Sequence, residues 1–353
     1  MTITVPAEAL RQFIAAALRA VGLPEADART VAKLMAEADL YGADGHGVFR
    51  LPQYVRRIRA GAVNVAPDIR IVRERAGMAL VDGDNGMGHL VMRFAARTAI
   101  DKARASGVAW VGARMSNHAG PALLYARMLA AAGMAGLYLC VGNANHLAPW
   151  GGVELLLSTN PIAVAVPGLE EPVVVLDMAT TVASYGKVKT YAQQGKPLPA
   201  GWMIDREGRA FTDAKRAAEA LLLPLGGLEA GYKGYGLALV LGLLAGTLND
   251  AAMGRAVIDF NTDDSSVTNT GHAIVAIDPA AFGDPTAFRE RVDRVVREIR
   301  ASQPLPGVER IRVPGERSAE KHAERASSGV PIPPALKASL DHLAADLGIA
   351  PLA

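Results

Sequence analysis

Apolar residues recur at helical spacing through the first sixty positions of the chain. Leu10, Phe13, Ile14 and Ala17 follow the three- and four-residue steps of one helix face. A polar, glycine-rich stretch at residues 42–47 then interrupts the pattern. The helices predicted in this region cover residues 6–21, 24–41 and 51–60.

The middle of the chain alternates between short β-branched runs and longer helical patterns, which predicts an α/β fold. The predicted strands cover residues 78–81, 108–113, 137–141, 163–166, 172–176 and 273–277. The predicted helices cover residues 92–106, 121–132, 213–222 and 234–248. The last of these is apolar on all sides, so we expect it to be buried on most of them.

Two further helices are predicted at residues 288–301 and 334–347. The intervening stretch, residues 304–333, is rich in proline, glycine and charge, which predicts an extended surface segment. We therefore expect a helical region of residues 1–75 that packs with a second one of residues 285–353. A central α/β domain would occupy residues 76–284.

Composition excludes several classes of partner. The chain has 353 residues, 50% of them hydrophobic, and its 37 basic residues nearly balance its 35 acidic ones. Without a basic block, binding to nucleic acid is not expected. Every uncharged run that is long enough to cross a bilayer is interrupted by polar residues or proline, so we expect no membrane anchor. The single cysteine, Cys140, excludes an intrachain disulfide and predicts a reducing, cytoplasmic setting.

Several familiar catalytic signatures are missing. No Gly-x-Gly-x-x-Gly opens a helix after a strand, and there is no Walker A sequence. There is also no Gly-x-Ser-x-Gly elbow and no His-Glu-x-x-His zinc helix. Because the seven histidines are scattered, we expect a metal-free reaction.

The stretch from Asp44 to Arg50 is the first candidate site. His46 lies between two glycines, so a ligand can approach its imidazole closely. Arg50 lies near a predicted helix start, where its guanidinium can hold a carboxylate through two hydrogen bonds. These residues suit a substrate in which a carboxylate lies next to a carbonyl or hydroxyl carbon. The alternative interpretation is an ordinary glycine-rich turn.

His118 is the second candidate, between a predicted strand and a predicted helix. The positive field of a helix start favours a neutral imidazole, which can accept a proton when an alcohol is oxidised. Helix capping by Ser116 or Asn117 is the alternative interpretation.

Polar groups at strand and helix ends provide further candidates. Asn143 and, later, Thr159 and Asn160 lie in polar stretches that follow a buried predicted strand, although ordinary turns have the same composition. Asp177 ends another strand and can accept hydrogen bonds from sugar hydroxyls. Lys233 precedes the apolar helix, where it can meet a pyrophosphate.

In this order, these segments resemble the type-2 malate/L-lactate dehydrogenase family. The resemblance runs from about residue 38 to residue 316. It rests on residues 42–50, 118–120, 148–152, 159–161, 177–187, 199–202, 223–227, 233–237 and 314–316.

The resemblance implies an α/β, non-Rossmann, mixed-sheet fold like that of L-sulfolactate dehydrogenase, with a helical region built from both termini. It implies NAD or NADP as the cofactor, no metal, a small carboxylate-bearing substrate and a homodimer. His118 and His46 would be catalytic, and Arg50, Asp44 and Asn143 would bind substrate. The implied cofactor-binding residues are Thr159, Asn160, Leu176, Asp177, Met178, Lys233, Gly234, Pro314, Gly315 and Glu316.

Two departures from the family's usual pattern bear on activity. Gly45 stands where a serine commonly precedes the first histidine, and Ala119 stands where an aromatic residue commonly follows the second. The expected activity is interconversion of a 2-hydroxy acid and its 2-oxo acid. Reduction of a cyclic imine carboxylate and a degenerate, non-catalytic ligand binder are the alternatives.

Overall fold

A mixed seven-stranded sheet forms the centre of the fold. The computed structural model describes residues 2–352. The strands β1–β14 span Ile3–Val5, Arg70–Arg75, Met78–Asp82, Val108–Ser116, Ala135–Cys140, Asn145–Leu147, Leu157–Ser158, Ile162–Val166, Val174–Met178, Met203–Ile204, Ala210–Phe211, Leu221–Leu222, Thr270–Ile277 and Val330–Ile332. The order in the central sheet is β2-β3-β4-β13-β5-β8-β9.

Helices cover both faces of this sheet. The helices α1–α10 span Ala7–Ala20, Glu25–Leu40, Leu51–Arg59, Gly88–Ser106, Leu123–Ala131, Tyr185–Gln193, Gly227–Ala245, Pro285–Ala301, Glu316–Ser328 and Pro334–Leu347. Alternate residues of β13 point to opposite layers: Ile274 packs in the core with α4 and α5, and Ala273 packs with α7. The mixed α/β fold predicted from the resemblance is confirmed.

The two ends of the described chain share one hydrophobic core. Strand β1 pairs with β14 in antiparallel register, and buried residues of α1, α2, α3 and α10 belong to a single cluster that includes Leu10, Met35, Leu51 and Leu340. The boundaries 1–75, 76–284 and 285–353 stay a prediction.

The prediction of an extended segment over residues 304–333 is wrong for its second half. Gly315, in the left-handed conformation, precedes α9, and β14 follows that helix. The helix carries few apolar residues, so hydrophobic spacing cannot reveal it. It is held instead by polar contacts such as those of the buried Arg325, which bonds to the Asp39 carbonyl oxygen.

The helix predicted over residues 213–222 is also wrong. Asp213 caps a 3-10 segment, Ala214–Glu219, and β12 follows it to pair with β10 in a small three-stranded sheet. The buried residues Ala214, Ala217 and Ala220 repeat every three positions, which is the period of a 3-10 helix. With α6, this sheet encloses a separate small core.

The apolar helix α7 begins at Gly227, not at residue 234, because Gly226 in the left-handed conformation starts it. The prediction that it is buried on most sides is wrong. One face packs on the sheet, but Leu228, Tyr232, Val240 and Leu243 are exposed. No helix within residues 2–352 combines the length and apolarity that a bilayer crossing requires.

Candidate active site

The structure brings His46 and His118 into direct contact. His46 Nδ1 lies 3.2 Å from His118 Nε2. The two rings are stacked, with centroids 5.3 Å apart and planes inclined by 3°. His46 and His118 are 72 positions apart in the sequence. Phe260 stacks on His118, with ring centroids 5.1 Å apart.

The hydrogen bonds around His118 fix its tautomer. The backbone N–H of Gly120 donates to His118 Nδ1 over 3.3 Å, so this nitrogen is an acceptor in the neutral ring. The Tyr54 hydroxyl lies 2.6 Å from the same nitrogen and donates to it. His118 therefore carries its proton on Nε2, which donates to His46 Nδ1. His46 in turn carries its proton on Nε2.

Burial keeps both imidazoles neutral. Desolvation, helped by the positive charge of Arg50, lowers the pKa of His46 to about 4. Desolvation also lowers the pKa of His118 well below its usual value, with further contributions from His46 and Arg50. At neutral pH both rings are therefore neutral, and His46 Nδ1 is the unprotonated nitrogen that faces the other ring.

The loop that carries His46 is held by a buried carboxylate. Asp39 is 2% exposed, and its Oδ2 accepts a hydrogen bond of 2.8 Å from the N–H of Val48. Burial raises the pKa of this carboxyl group well above its usual value. A Cβ at Gly47 would lie 2.0 Å from Asp39 Oδ1, so only glycine fits there.

Asp44 lies outside the histidine cluster. Its carboxylate is paired with Arg325 of α9, and the residue is exposed. The contact ties the His46 loop to α9, and the predicted role of Asp44 in substrate binding has no support from this placement.

Hydrogen bonds from Nε and Nη1 hold the Arg50 guanidinium in place. Its Nε donates to the Gly45 carbonyl oxygen over 2.9 Å. Its Nη1 donates to Gln53 Oε1 over 2.8 Å and to Asn261 Oδ1 over 3.2 Å. Among the described residues, Nη2 has no hydrogen-bond partner. A fixed guanidinium with a free N–H pair beside two imidazoles can bind a carboxylate.

Sequence reasoning missed most neighbours of the histidine pair. Tyr54 lies on the inner face of α3, where its apolar spacing reads as core. Phe260 and Asn261 lie in a loop without regular structure, and Asn143 supports this loop because its carbonyl oxygen accepts from Phe260 N over 3.0 Å. The Asn143 amide itself donates to the Thr270 hydroxyl.

Two further buried histidines lie behind the pair. His89 is 0% exposed, its ring meets Tyr54 edge-on at 5.7 Å, and burial lowers its pKa to about 3. His272 lies between Tyr138, at 2.7 Å, and the Ser116 hydroxyl, at 3.0 Å. Its pKa is likewise lowered to about 3 by burial. No spacing in the sequence connects either residue with His118.

The predicted cofactor residues on β9 lie next to the His118 segment. Asp177 Oδ2 accepts a hydrogen bond of 3.2 Å from Leu123 N, at the start of α5. Leu176 and Asp177 are exposed, and Met178 is half-buried. Thr159 accepts hydrogen bonds from Thr180 through its carbonyl oxygen. Leu176, Asp177 and Met178 lie on β9, which is an edge strand of the central sheet.

Asn160 and Gly234 have packing contacts instead of open surfaces. Asn160 is 0% exposed; its amide joins Gly142 N to the Ala238 carbonyl oxygen. A Cβ at Gly234 would lie 2.3 Å from the Leu225 carbonyl oxygen, so the glycine permits a close approach. Lys233 is exposed in the second turn of α7, and its predicted place at a helix start is wrong because α7 begins at Gly227.

Residues 314–316 close the same edge of the sheet. The Pro314 carbonyl oxygen accepts from Val175 N over 3.0 Å, and Gly315 follows with φ +94°. Glu316 pairs with Arg300. Two cavities of about 510 and 380 Å³ flank this turn, and the second is lined by Arg310, Arg312, Gly315 and Arg317.

These cavities fit the phosphates of a dinucleotide. Arginine side chains and the first N–H groups of a helix are the donors that phosphates prefer. The Nε of Arg312 is buried without a hydrogen-bond partner among the described residues. Within residues 2–352, no three His, Cys, Asp or Glu side chains are grouped so as to hold a metal ion. The metal-free reaction stays a prediction.

Several known proteins resemble this chain over nearly its whole length. The malate dehydrogenase of Pyrococcus horikoshii is 39% identical over 351 residues, which is 98% of this chain and 96% of that protein. The solved structure of sulfolactate dehydrogenase from Methanocaldococcus jannaschii superposes with a TM-score of 0.90 at 34% identity and covers 98% of each chain.

A solved Δ1-piperideine-2-carboxylate reductase from Pseudomonas syringae superposes with a TM-score of 0.84 at 28% identity, over 97% of this chain and 100% of that one. The model of the malate/L-lactate dehydrogenase family matches residues 5–341. The resemblance noted in the sequence is therefore confirmed, and the chain belongs to the malate/L-lactate dehydrogenase family.

Proposed function

We propose that this protein is an NAD(P)-dependent oxidoreductase that interconverts a small 2-hydroxy acid and its 2-oxo acid. The observation that carries the proposal is the contact between His46 and His118 beside the partly unpaired guanidinium of Arg50. A carboxylate on Arg50 places the adjacent carbon of the substrate near two neutral imidazoles. The names of the relatives support the same reaction class.

Each residue has a stated role in this proposal. Arg50 binds the substrate carboxylate and fixes its orientation. The nicotinamide supplies or accepts the hydride. The His46–His118 pair takes up the hydroxyl proton at His46 Nδ1 during oxidation, where the substrate hydroxyl replaces the His118 Nε2–H as the donor. It returns this proton during reduction. Tyr54 and Gly120 hold the His118 ring in the tautomer that leaves His46 Nδ1 unprotonated.

The bound carboxylate of the substrate also changes the pKa of the two histidines. A negative charge beside an imidazole favours its protonated form, so substrate binding raises the pKa of the pair from its low value in the free protein. The pair then releases and accepts protons closer to neutral pH.

The cofactor is assigned to the edge of the sheet formed by Asp177 and residues 314–316. Asp177 is placed to accept hydrogen bonds from a ribose, and the arginines beside Gly315 are placed to bind phosphates. Leu176, Met178 and Thr159 complete this surface. NAD and NADP both remain candidates, and a cytoplasmic location stays a prediction.

A homodimer completes the proposal. Leu228, Tyr232, Val240 and Leu243 form one apolar stripe along α7, and Leu248 beyond the helix is 63% exposed. A contiguous apolar face of this kind marks an interface. A second copy of the chain is the occupant that we propose. Light scattering at several concentrations measures the mass directly.

The first experiment is a titration of the purified protein with NADH and with NADPH, followed by nicotinamide fluorescence. Saturable binding of either is expected and identifies the cofactor. With that cofactor, oxidation of 2-hydroxy acids is measured for the wild type and for His118→Gln and His46→Gln. Loss of a general acid–base group reduces the rate by about 10²–10⁴-fold. Near-normal turnover by both variants would contradict the assignment.

Two other functions are tested by the same assays. The relative that reduces a cyclic imine makes imine reduction the second candidate. The two reactions are separated by comparing turnover of 2-oxo acids and cyclic imine carboxylates.

Gly45 and Ala119 motivate a third candidate, a ligand binder without catalytic activity. A Cβ at Gly45 meets nothing within 4 Å, so Gly45→Ser fits sterically. Activity that appears only in Gly45→Ser would favour the binder; wild-type turnover excludes it.

A further inference from the structure

Lys189 and Arg50 converge on one oxygen atom. Lys189 Nζ donates to Asn261 Oδ1 over 2.9 Å, and Arg50 Nη1 donates to the same oxygen over 3.2 Å. The two cationic groups are therefore close neighbours, although they come from α6 and from the turn before α3. Lys189 is half-buried, so its charge is only partly hydrated.

The direction of the Lys189 side chain is set by α6. Val188, the preceding residue, is buried in the small core. Tyr185, four positions earlier and on the same helix face as Lys189, stacks on His146 with ring centroids 3.7 Å apart. Lys189 lies 5.7 Å from the Tyr185 ring centroid. This face of α6 is thereby held against the loop that contains Asn261.

Neither cation forms a salt bridge with a carboxylate of the described residues. The nearby carboxylate, Asp259, is occupied by Asn261, whose N and Nδ2 donate to its Oδ1 over 2.9 and 2.7 Å. Two like charges that share a neutral acceptor repel each other, and an anion between them relieves this repulsion. Lys189 also retains N–H donors beyond the single hydrogen bond to Asn261.

We propose that Lys189 forms a subsite for a second anionic group of the substrate and selects 2-hydroxy acids that carry a carboxylate or sulfonate at the far end. This inference rests on the proposed function and deepens it. Arg50 holds the carboxylate next to the reacting carbon. In a four-carbon dicarboxylate, two carbons separate the acidic groups, a spacing that suits two cations bonded to one oxygen.

The test compares malate, 3-sulfolactate and 2-hydroxybutanoate, which share the reacting end and differ at the other. Lys189→Met removes the charge and keeps the chain length, Lys189→Arg retains the charge, and Lys187→Met is the control on an exposed neighbouring position. NADH and NADPH affinities are measured for all variants.

We expect Lys189→Met to lower kcat/KM for malate or sulfolactate by about 10- to 100-fold, mainly through KM. Turnover of 2-hydroxybutanoate and cofactor affinity should not change, and Lys189→Arg should restore most of the loss. Whichever of the two dianions shows the larger effect identifies the group that the subsite accepts.

Equal losses on all three substrates would make Lys189 a structural tie to Asn261 and overturn the subsite. A change confined to NADPH affinity would also overturn it, because Lys189 would then contact the cofactor. If the wild type prefers 2-hydroxybutanoate, the subsite is wrong but the proposed function stands. If it oxidises none of the three with either cofactor, the proposed function fails, and this inference fails with it.

Discussion

The imidazoles of His46 and His118 lie parallel, and one nitrogen of each faces the other across 3.2 Å. Because the proton on His118 Nε2 occupies this contact, the two rings cannot be protonated independently. We expect them to titrate as one coupled unit, with macroscopic pKa values that belong to the pair.

The acid limb of the pH–rate profile reports this unit. Desolvation lowers the pKa of His46 to about 4, so the neutral, proton-accepting form persists far below the usual histidine value of 6.5. We expect kcat/KM for 2-hydroxy acid oxidation to decline only as the pH falls toward about 4. An acid limb centred near 6.5, measured over the pH range in which the protein stays folded, would contradict the assignment.

Tyr54→Phe removes the hydroxyl that donates to His118 Nδ1. This hydrogen bond stabilises the neutral ring, so its loss should raise the pKa of the pair and move the acid limb of kcat/KM to higher pH. Loss of one such bond reduces the rate by about 3- to 10-fold. Tyr125→Phe is the control, because the Tyr125 hydroxyl bonds to the Ala119 carbonyl oxygen instead of a histidine. An unchanged pH profile in Tyr54→Phe would disprove the tautomer assignment.

Gly47→Ala and Gly45→Ala form a matched pair in one loop. A Cβ at Gly47 would overlap the Asp39 carboxylate, whereas a Cβ at Gly45 meets no atom within 4 Å. We expect Gly47→Ala to lower the free energy of unfolding by at least about 1–3 kcal/mol and to displace His46. Gly45→Ala should leave stability unchanged. Chemical denaturation measures both effects, and equal stability of the two variants would rule out the close packing described here.

Acid should destabilise the fold through its buried histidines. Burial lowers the pKa of His89 and of His272 to about 3, below the unfolded value of 6.5. Between these values the unfolded chain binds more protons, so stability is complete above pH 6.5 and declines as the pH falls toward 3. At pH 5 the loss is about 2 kcal/mol per histidine. His89→Phe should reduce this slope, as urea unfolding at pH 7 and pH 5 will measure.

Gly315→Ala tests the proposed cofactor edge. Gly315 has φ +94°, and a Cβ there would lie 3.0 Å from Val175 atoms, so alanine should shift the start of α9. We expect weaker binding of NADH or NADPH by fluorescence titration. Gly307→Ala is the control, because Gly307 has φ +82° but open space around it. Unaltered cofactor affinity in Gly315→Ala would place the cofactor elsewhere.

Hydrophobic spacing predicted the elements whose burial follows a regular period. Helix α1 and strand β13 are examples, since one face of each enters a core. It failed for α9, whose contacts are mostly polar, and for the alanine repeat of residues 214–220. The exposure of α7 was also missed, because an apolar surface has the same composition as a core.

The candidate site was predictable only where a residue has glycines or polar neighbours beside it. His46, Arg50 and His118 are in such settings. Tyr54 looks like core, and Asn261 and Lys189 have no local signal at all. Their relevance arises from contacts between distant segments, such as the 211 positions that separate Arg50 from Asn261.

The clamp between Asp44 and Arg325 has a consequence for the order of assembly. These residues are 281 positions apart, so the loop with His46 and Arg50 leaves the ribosome long before its anchor exists. At roughly 5–20 residues per second, the interval is on the order of tens of seconds. All seven strands of the central sheet are synthesised within it. The central sheet can therefore form early during synthesis, whereas the loop with His46 is anchored only after α9 has been made.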